Sequence, residues 1–198
     1  MTEALLVSNV ILWIALLALV VVSLALARQI GILHERIAPM GALMLDAGPK
    51  VGDAAPRHAL RTLDGRDLVI GNEAATGRAT LLFFLSPTCP VCKKLLPIIK
   101  SVAAREAAST RVVLASDGEQ PEHLEFVQRA SLQAFPYVLS TELGLGFHVS
   151  KLPYAVLIGA DGRIEAKGLV NSREQLESLF TARELGVGSV QDYLGARA

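Results

Sequence analysis

Two side chains in this sequence are suited to reversible covalent chemistry, and they stand three positions apart. Cys89 and Cys92 are the only cysteines among 198 residues, in the run Cys89-Pro90-Val91-Cys92. Thiols at this spacing can pass between a dithiol and an internal disulfide, and either can attack a disulfide of another protein. The flanking residues predict how they are held. Residues 79–85 (ATLLFFL) read as a buried strand, Ser86-Pro87-Thr88 as a short loop, and the chain from Lys93 onward as a helix. Cys89 then falls at a strand-to-helix junction, where free backbone N–H groups and the positive end of the helix dipole favour a thiolate. This setting makes Cys89 the attacking sulfur and leaves Cys92 to resolve the mixed disulfide.

Competing uses of the pair fit less well. One Cys-x-x-Cys supplies two metal ligands, and His58, His123 and His148 lie without ligand spacing, so no metal or other cofactor is expected. Haem attachment needs His directly after the second cysteine, where Lys93 stands. His148, five residues before Pro153, is read as a surface or structural histidine.

The elements that position the pair follow along the chain. Asp64-Gly65 between two short alternating runs in residues 59–70 signals a hairpin. After the dithiol, Leu95, Leu96, Ile98, Ile99 and Val102 recur near helical period, with Pro97 inside the run as a kink. Residues 111–115 read as a strand, 122–132 as an amphipathic helix, 137–139 as a brief strand and 141–147 as a short helix capped by Thr141. Residues 154–158 and a run ending at Val170 form a hairpin around Asp161-Gly162, and Asn171-Ser172 caps a last helix through Leu185. This order indicates an α/β fold with a mixed sheet covered by helices on both faces.

A formal net charge of zero gives no reason to expect a nucleic-acid partner. From Ala4 to Ala27 the chain carries no charge over a length sufficient to cross a bilayer, so this stretch is read as a transmembrane helix in contact with lipid. A cleaved signal peptide is the competing reading, given Ala25-Leu26-Ala27. Glu3, the lack of a preceding Lys or Arg and the length of the run stand against it. Arg28 and Arg36 after the span would keep the large domain in the cytoplasm. Disulfide chemistry argues for the other side of the membrane, and we read the domain as periplasmic. The expected organisation is an anchor at residues 1–27, a tether at 28–50, a folded domain at 51–185 and a tail at 186–198.

Cys89-x-x-Cys92 followed by Lys93, Pro97 five residues after the second cysteine, and Leu152-Pro153 directly before a strand resemble the thioredoxin superfamily across residues 51–185. The resemblance implies a thioredoxin-like mixed sheet flanked by helices. It also implies a cis-proline loop at Leu152 and Pro153 that packs against the dithiol and holds an extended substrate segment. VGDAAP at residues 51–56 and the inserted helix before Tyr137 are similar to the membrane-anchored, TlpA-like branch. Within it, FLSPTCPVCKKLLP together with one N-terminal span resembles the MauD family of methylamine-utilisation accessory proteins. That likeness implies a thiol–disulfide oxidoreductase or redox chaperone for the small subunit of methylamine dehydrogenase, acting by disulfide formation or isomerisation. It further implies a membrane redox partner of unspecified identity. Two positions depart from thioredoxins: Thr88 replaces Trp before the first cysteine, and Phe83 occupies the place of a buried Asp. The second functional class is a non-catalytic thioredoxin-like adaptor in assembly of a periplasmic protein.

Overall fold

The computed structural model describes residues 2–36, 48–71 and 77–185; much of the expected tether and the expected tail at 186–198 lie outside them. The chain divides into two compact units, Met1–Leu45 and Asp46–Ala198. The first contains helix α1, Thr2–Arg36. At 1.5 Å rise per residue, its length is about 50 Å, longer than a bilayer core of about 30 Å. Leu6–Leu24 has a mean hydropathy of 2.6 and is, among the described residues, the one helical stretch long and apolar enough to cross a membrane. Leu12, Trp13 and Leu17 are exposed, as lipid-facing side chains would be. The helix continues beyond the uncharged run, where the sequence pattern points to no more than a turn near residues 32–37. Gln, Ile, Leu, Arg and Glu propagate a helix that is already nucleated, and a single Gly31 does not stop it.

In the second unit a hairpin comes first, β1 (His58–Arg61) and β2 (Asp67–Ile70), paired antiparallel. Its turn uses Gly65 at φ +83, the left-handed conformation that the Asp-Gly signal anticipates. The main sheet holds β3 (Ala79–Phe84), β4 (Thr110–Ser116), β5 (Tyr137–Leu139), β6 (Tyr154–Ile158) and β7 (Ile164–Leu169), in the order β5-β4-β3-β6-β7. Strands β3, β4 and β5 run parallel, while β6 and β7 run antiparallel to their neighbours. The fold is therefore thioredoxin-like α/β with a mixed sheet.

Alternation along the central strands separates two cores. Leu81, Phe83 and Leu85 face one cluster, which they share with Leu95 and Ile99 of α2 (Pro90–Arg105), Phe126 of α3 (Gln120–Arg129) and Leu176 of α5 (Arg173–Leu185). Leu82 and Phe84 face the other, which is closed by Leu143 of α4 (Thr141–Gly146), by Phe147 after it, and by Leu68 and Ile70 of the hairpin. All six residues of β3 are buried, which explains why this strand reads as a continuous apolar run.

Three local assignments change. Helix α2 begins at Pro90 rather than Lys93, because proline's fixed φ suits the first helical position and Cys89 serves as the N-cap. The cap of α4 is Ser140 rather than Thr141: its hydroxyl accepts the Leu143 N–H at 3.1 Å from an extended backbone. Helix α3 begins two residues earlier than the amphipathic run, with Pro121 in its first turn, and ends at Arg129 rather than Leu132.

The two ends of the hairpin approach closely. Gly71, at φ +101 after β2, would place a Cβ 2.5 Å from the Pro56 carbonyl oxygen and 2.8 Å from Arg57 Cα. Gly71→Ala is expected to destabilise the fold by about 2 kcal/mol or more. The measurement is the urea midpoint of the full chain in detergent, and an unchanged midpoint would contradict this account of the turn.

Candidate active site

The dithiol sits where β3 gives way to α2. Ser86 organises the intervening loop: its carbonyl accepts the Cys89 N–H at 3.1 Å, and its hydroxyl lies 2.9 Å from that of Thr88. The turn delivers Cys89 to the helix N-cap with φ −77 and ψ 115. There its Sγ accepts the Cys92 N–H at 3.2 Å. A donor aimed at the first sulfur stabilises negative charge on it, and the helix dipole acts in the same sense. Thr88 therefore closes the loop through its hydroxyl, in the place where thioredoxins carry Trp.

The two sulfurs have unequal access. Cys89 is half-buried, whereas Cys92 is 0% exposed and belongs to the core cluster containing Phe83, Leu95 and Leu85. Burial, followed by the hydrogen bond and charge of Cys89, pushes the Cys92 thiol from an ordinary 9.0 up to about 12, against the pull of the Ser86 backbone. The residue in the place of thioredoxin's buried carboxylate, Phe83, is itself fully buried and offers Cys92 no proton acceptor. Lys93 and Lys94 are exposed and point the helix's basic charge to solvent.

Leu152 and Pro153 reach the same end of the sheet by register. Phe84, the last residue of β3, pairs with Tyr154, so the Leu152-Pro153 bond lies beside the start of the cysteine loop. That bond is cis. Pro153 is buried and its carbonyl accepts the Val170 N–H at 3.1 Å, while Leu152 remains partly exposed. A cavity of about 270 Å³ adjoins this edge, lined by Leu85, Ser116, Ser140, Leu145, Val149 and Leu152 among others. Val91 between the cysteines and Leu145 beside the cavity are exposed apolar side chains.

The histidines take separate places. His148 is exposed, adopts φ +53 and lies against Gly48, while His58 stacks at a tilt near Phe147 in the second core. His123 is buried and bonded to Tyr137. No group of three or more metal-binding side chains occurs among the described residues. The sequence pattern does not single out Ser86, Ser116, His123 or Tyr137 for the site. A polar residue at the end of each of β3 and β4 is the signal available for the two serines; His123 and Tyr137 carry none.

Residues 77–164 match the family model described as thioredoxin-like. The crystal structure of a proposed thiol:disulfide interchange protein DsbE from Chlorobium tepidum shares the fold, with a TM-score of 0.61 and 21% identity over 69% of this chain and 99% of that one. Fold and cysteine pair together define a thioredoxin-like thiol–disulfide oxidoreductase. The methylamine utilization protein MauD of Methylobacillus flagellatus is 50% identical over 187 residues, 94% of this chain and 90% of that protein. MauD of Paracoccus denitrificans is 49% identical over 197 residues, 100% of this chain and 98% of that protein. The chain belongs to the MauD family.

The unequal sulfurs have a direct readout. With its pKa at about 12, Cys92 is a thiolate in about one molecule in ten thousand at pH 8. Iodoacetamide at that pH should alkylate the reduced full chain once, on Cys89, with Cys92 reacting at least about a hundredfold more slowly. Equal labelling by mass spectrometry would refute the assignment. The folded state also holds the Cys92 proton more tightly than the unfolded state does. That contribution to stability is complete below pH 9.0 and is lost as the pH rises towards about 12, so the reduced chain should weaken across this alkaline window.

Proposed function

We propose that this chain is a membrane-anchored thiol–disulfide exchange protein whose Cys89 meets the client and whose Cys92 resolves the mixed disulfide. The observation that carries the reading is the Cys92 N–H directed at Cys89 Sγ at the helix N-cap, with Cys92 itself buried. In the reducing direction, Cys89 thiolate attacks a client disulfide, an S–S bond forms between them, and the first client sulfur leaves and takes a proton. Cys92 then loses its proton, bonds to Cys89 and releases the second client sulfur. The chain ends oxidised and the client reduced; every step runs in reverse for disulfide formation.

Leu152 and Pro153 supply the edge along which the client segment lies, with Val91 and the adjoining cavity receiving its apolar side chains. The client proposed is the small subunit of methylamine dehydrogenase, for maturation by disulfide formation or isomerisation. The family relatives are named for methylamine utilization, and a protein rich in disulfides needs such a partner during folding. Helix α1 provides the anchor in the cytoplasmic membrane, and disulfide chemistry supports a periplasmic setting for the folded unit, with a membrane redox partner to recharge the dithiol.

Cys92→Ser should accumulate a Cys89-linked adduct with the client, visible on a non-reducing gel and abolished by reductant. Cys89→Ala should abolish client maturation. Full maturation in that variant, with loss on substituting Leu145 or Val91, would replace the enzyme by a docking adaptor. A periplasm-active reporter fused after Leu185 should be active, and activity only of a cytoplasmic reporter would reverse the topology.

A further inference from the structure

The cavity beside Leu152 is chemically uneven. It opens at the carboxyl ends of the parallel strands β3, β4 and β5, where open α/β sheets commonly take ligands. Phe84, Leu85 and Ala115 give it apolar surface from the strand ends, and Leu145, Val149 and Leu152 give more from α4 and the segment after it. Its polar side chains are of one kind. Ser116, Ser140, Thr141 and Ser150 carry hydroxyls and Asp117 a carboxylate, and no lysine, arginine, histidine or side-chain amide among the described residues joins them. Ser116 donates its hydroxyl hydrogen to the Leu85 carbonyl at 2.8 Å, so it presents lone pairs. Lys151, between Ser150 and Leu152, is exposed and outside the lining, so the charged group of the lining is Asp117.

Asp117 joins an anchored backbone to a free side chain. Its carbonyl accepts the His123 Nε2–H at 2.8 Å, and Nδ1 of this histidine, 2% exposed on α3, lies 2.8 Å from the Tyr137 hydroxyl. The main chain is thereby held from the core at the point where it leaves β4. The residue is exposed, and its carboxylate has no hydrogen bond or ion pair among the described residues.

We propose that this cavity is the subsite for an arginine or lysine side chain of the client segment, with Asp117 as the residue that determines the choice. The inference rests on the reading of Leu152 and Pro153 as the client's edge, and it narrows the side chain that the cavity receives. Leu152 precedes the cis bond, and Leu85 precedes Ser86, whose carbonyl accepts the Cys89 N–H, so the cavity is continuous with the exchange site. A segment whose cysteine meets Cys89 and whose backbone passes Pro153 therefore carries a neighbouring side chain to the cavity mouth. At about 270 Å³ the space suits one side chain rather than a free cofactor. Arginine and lysine match both parts of the lining. Their stems are apolar and lie against Leu145, Val149 and Leu152, while their heads consist of donors for the carboxylate and the hydroxyls. A wholly aliphatic side chain would take water from Asp117 and the hydroxyls without replacing its hydrogen bonds, and an acidic one would meet like charge.

The test uses the reduced full chain in detergent and short peptides whose single cysteine is carried as a disulfide with thionitrobenzoate. Cys89 thiolate attacks the peptide sulfur, a new S–S bond joins chain and peptide, and coloured thionitrobenzoate leaves with the electron pair. Arginine, lysine, norleucine or glutamate is placed at each position flanking the cysteine in turn. Each rate is divided by that of dithiothreitol with the same peptide, which removes the peptide's intrinsic reactivity. At one or more positions arginine should exceed uncharged norleucine by about fivefold, the upper end for an ion pair open to solvent, and glutamate should fall below both. Asp117→Asn should bring the arginine-to-norleucine ratio to about one, Asp117→Lys should place glutamate above arginine, and rising ionic strength should erode the ratio in the unsubstituted chain. Norleucine equal to or above arginine at every position would overturn the proposal and leave the client edge standing. A ratio unchanged in both Asp117 variants would overturn it as well. Peptides of every composition reacting alike would remove the client edge itself, and the proposal with it.

Discussion

One constraint runs through the second unit: a thiol must be kept in the core one helical turn from a thiol that meets solvent. The Cys92 N–H bonded to Cys89 Sγ is the local expression of this constraint, and the N-cap geometry makes it. Unwind the first turn of α2 and the first sulfur loses its donor; shift the helix by one residue and the second sulfur leaves the core. Pro90 resists both changes, because its ring fixes φ at the first helical position and it has no N–H to compete for the sulfur. Leu95, Leu96, Ile99 and Val102 then secure the helix along the face that Cys92 begins.

The sheet serves that constraint by its register. Strand β3 is buried over its whole length, so the cysteine loop departs from the packed centre of the sheet. Antiparallel β6 returns beside it and brings Pro153 to the same edge, while parallel β4 and β5 bring Ser116 and Leu139 there from the other side. A mixed sheet is what allows a loop entering β6 and loops leaving β3 and β4 to converge. Hydrophobic packing on the two faces supplies the stability.

Most of this architecture was legible because its signals are local. Two cysteines at a fixed spacing, Asp-Gly turns, a proline before a strand and an uncharged apolar run each specify a short piece of backbone. The strand at residues 137–139 and that at 154–158 match the structure residue for residue. Helix starts were less legible: a proline and a cysteine can open a helix, or close a loop, with similar sequence patterns, and Ser140 and Thr141 are both competent caps. The His123–Tyr137 pair was not legible, since fourteen residues separate its members and one lies on a helix and the other on a strand. His123 in sequence is one scattered histidine among four.

The unequal exposure of the two sulfurs also governs the economy of handling a client with many cysteines. With Cys89 accessible and Cys92 sealed in the core, each encounter engages a single client sulfur. The proposed exchange would then run serially, one bond per visit. Fidelity across several disulfides then resides in the client's own folding energy, which retains correct bonds and leaves wrong ones exposed to another visit.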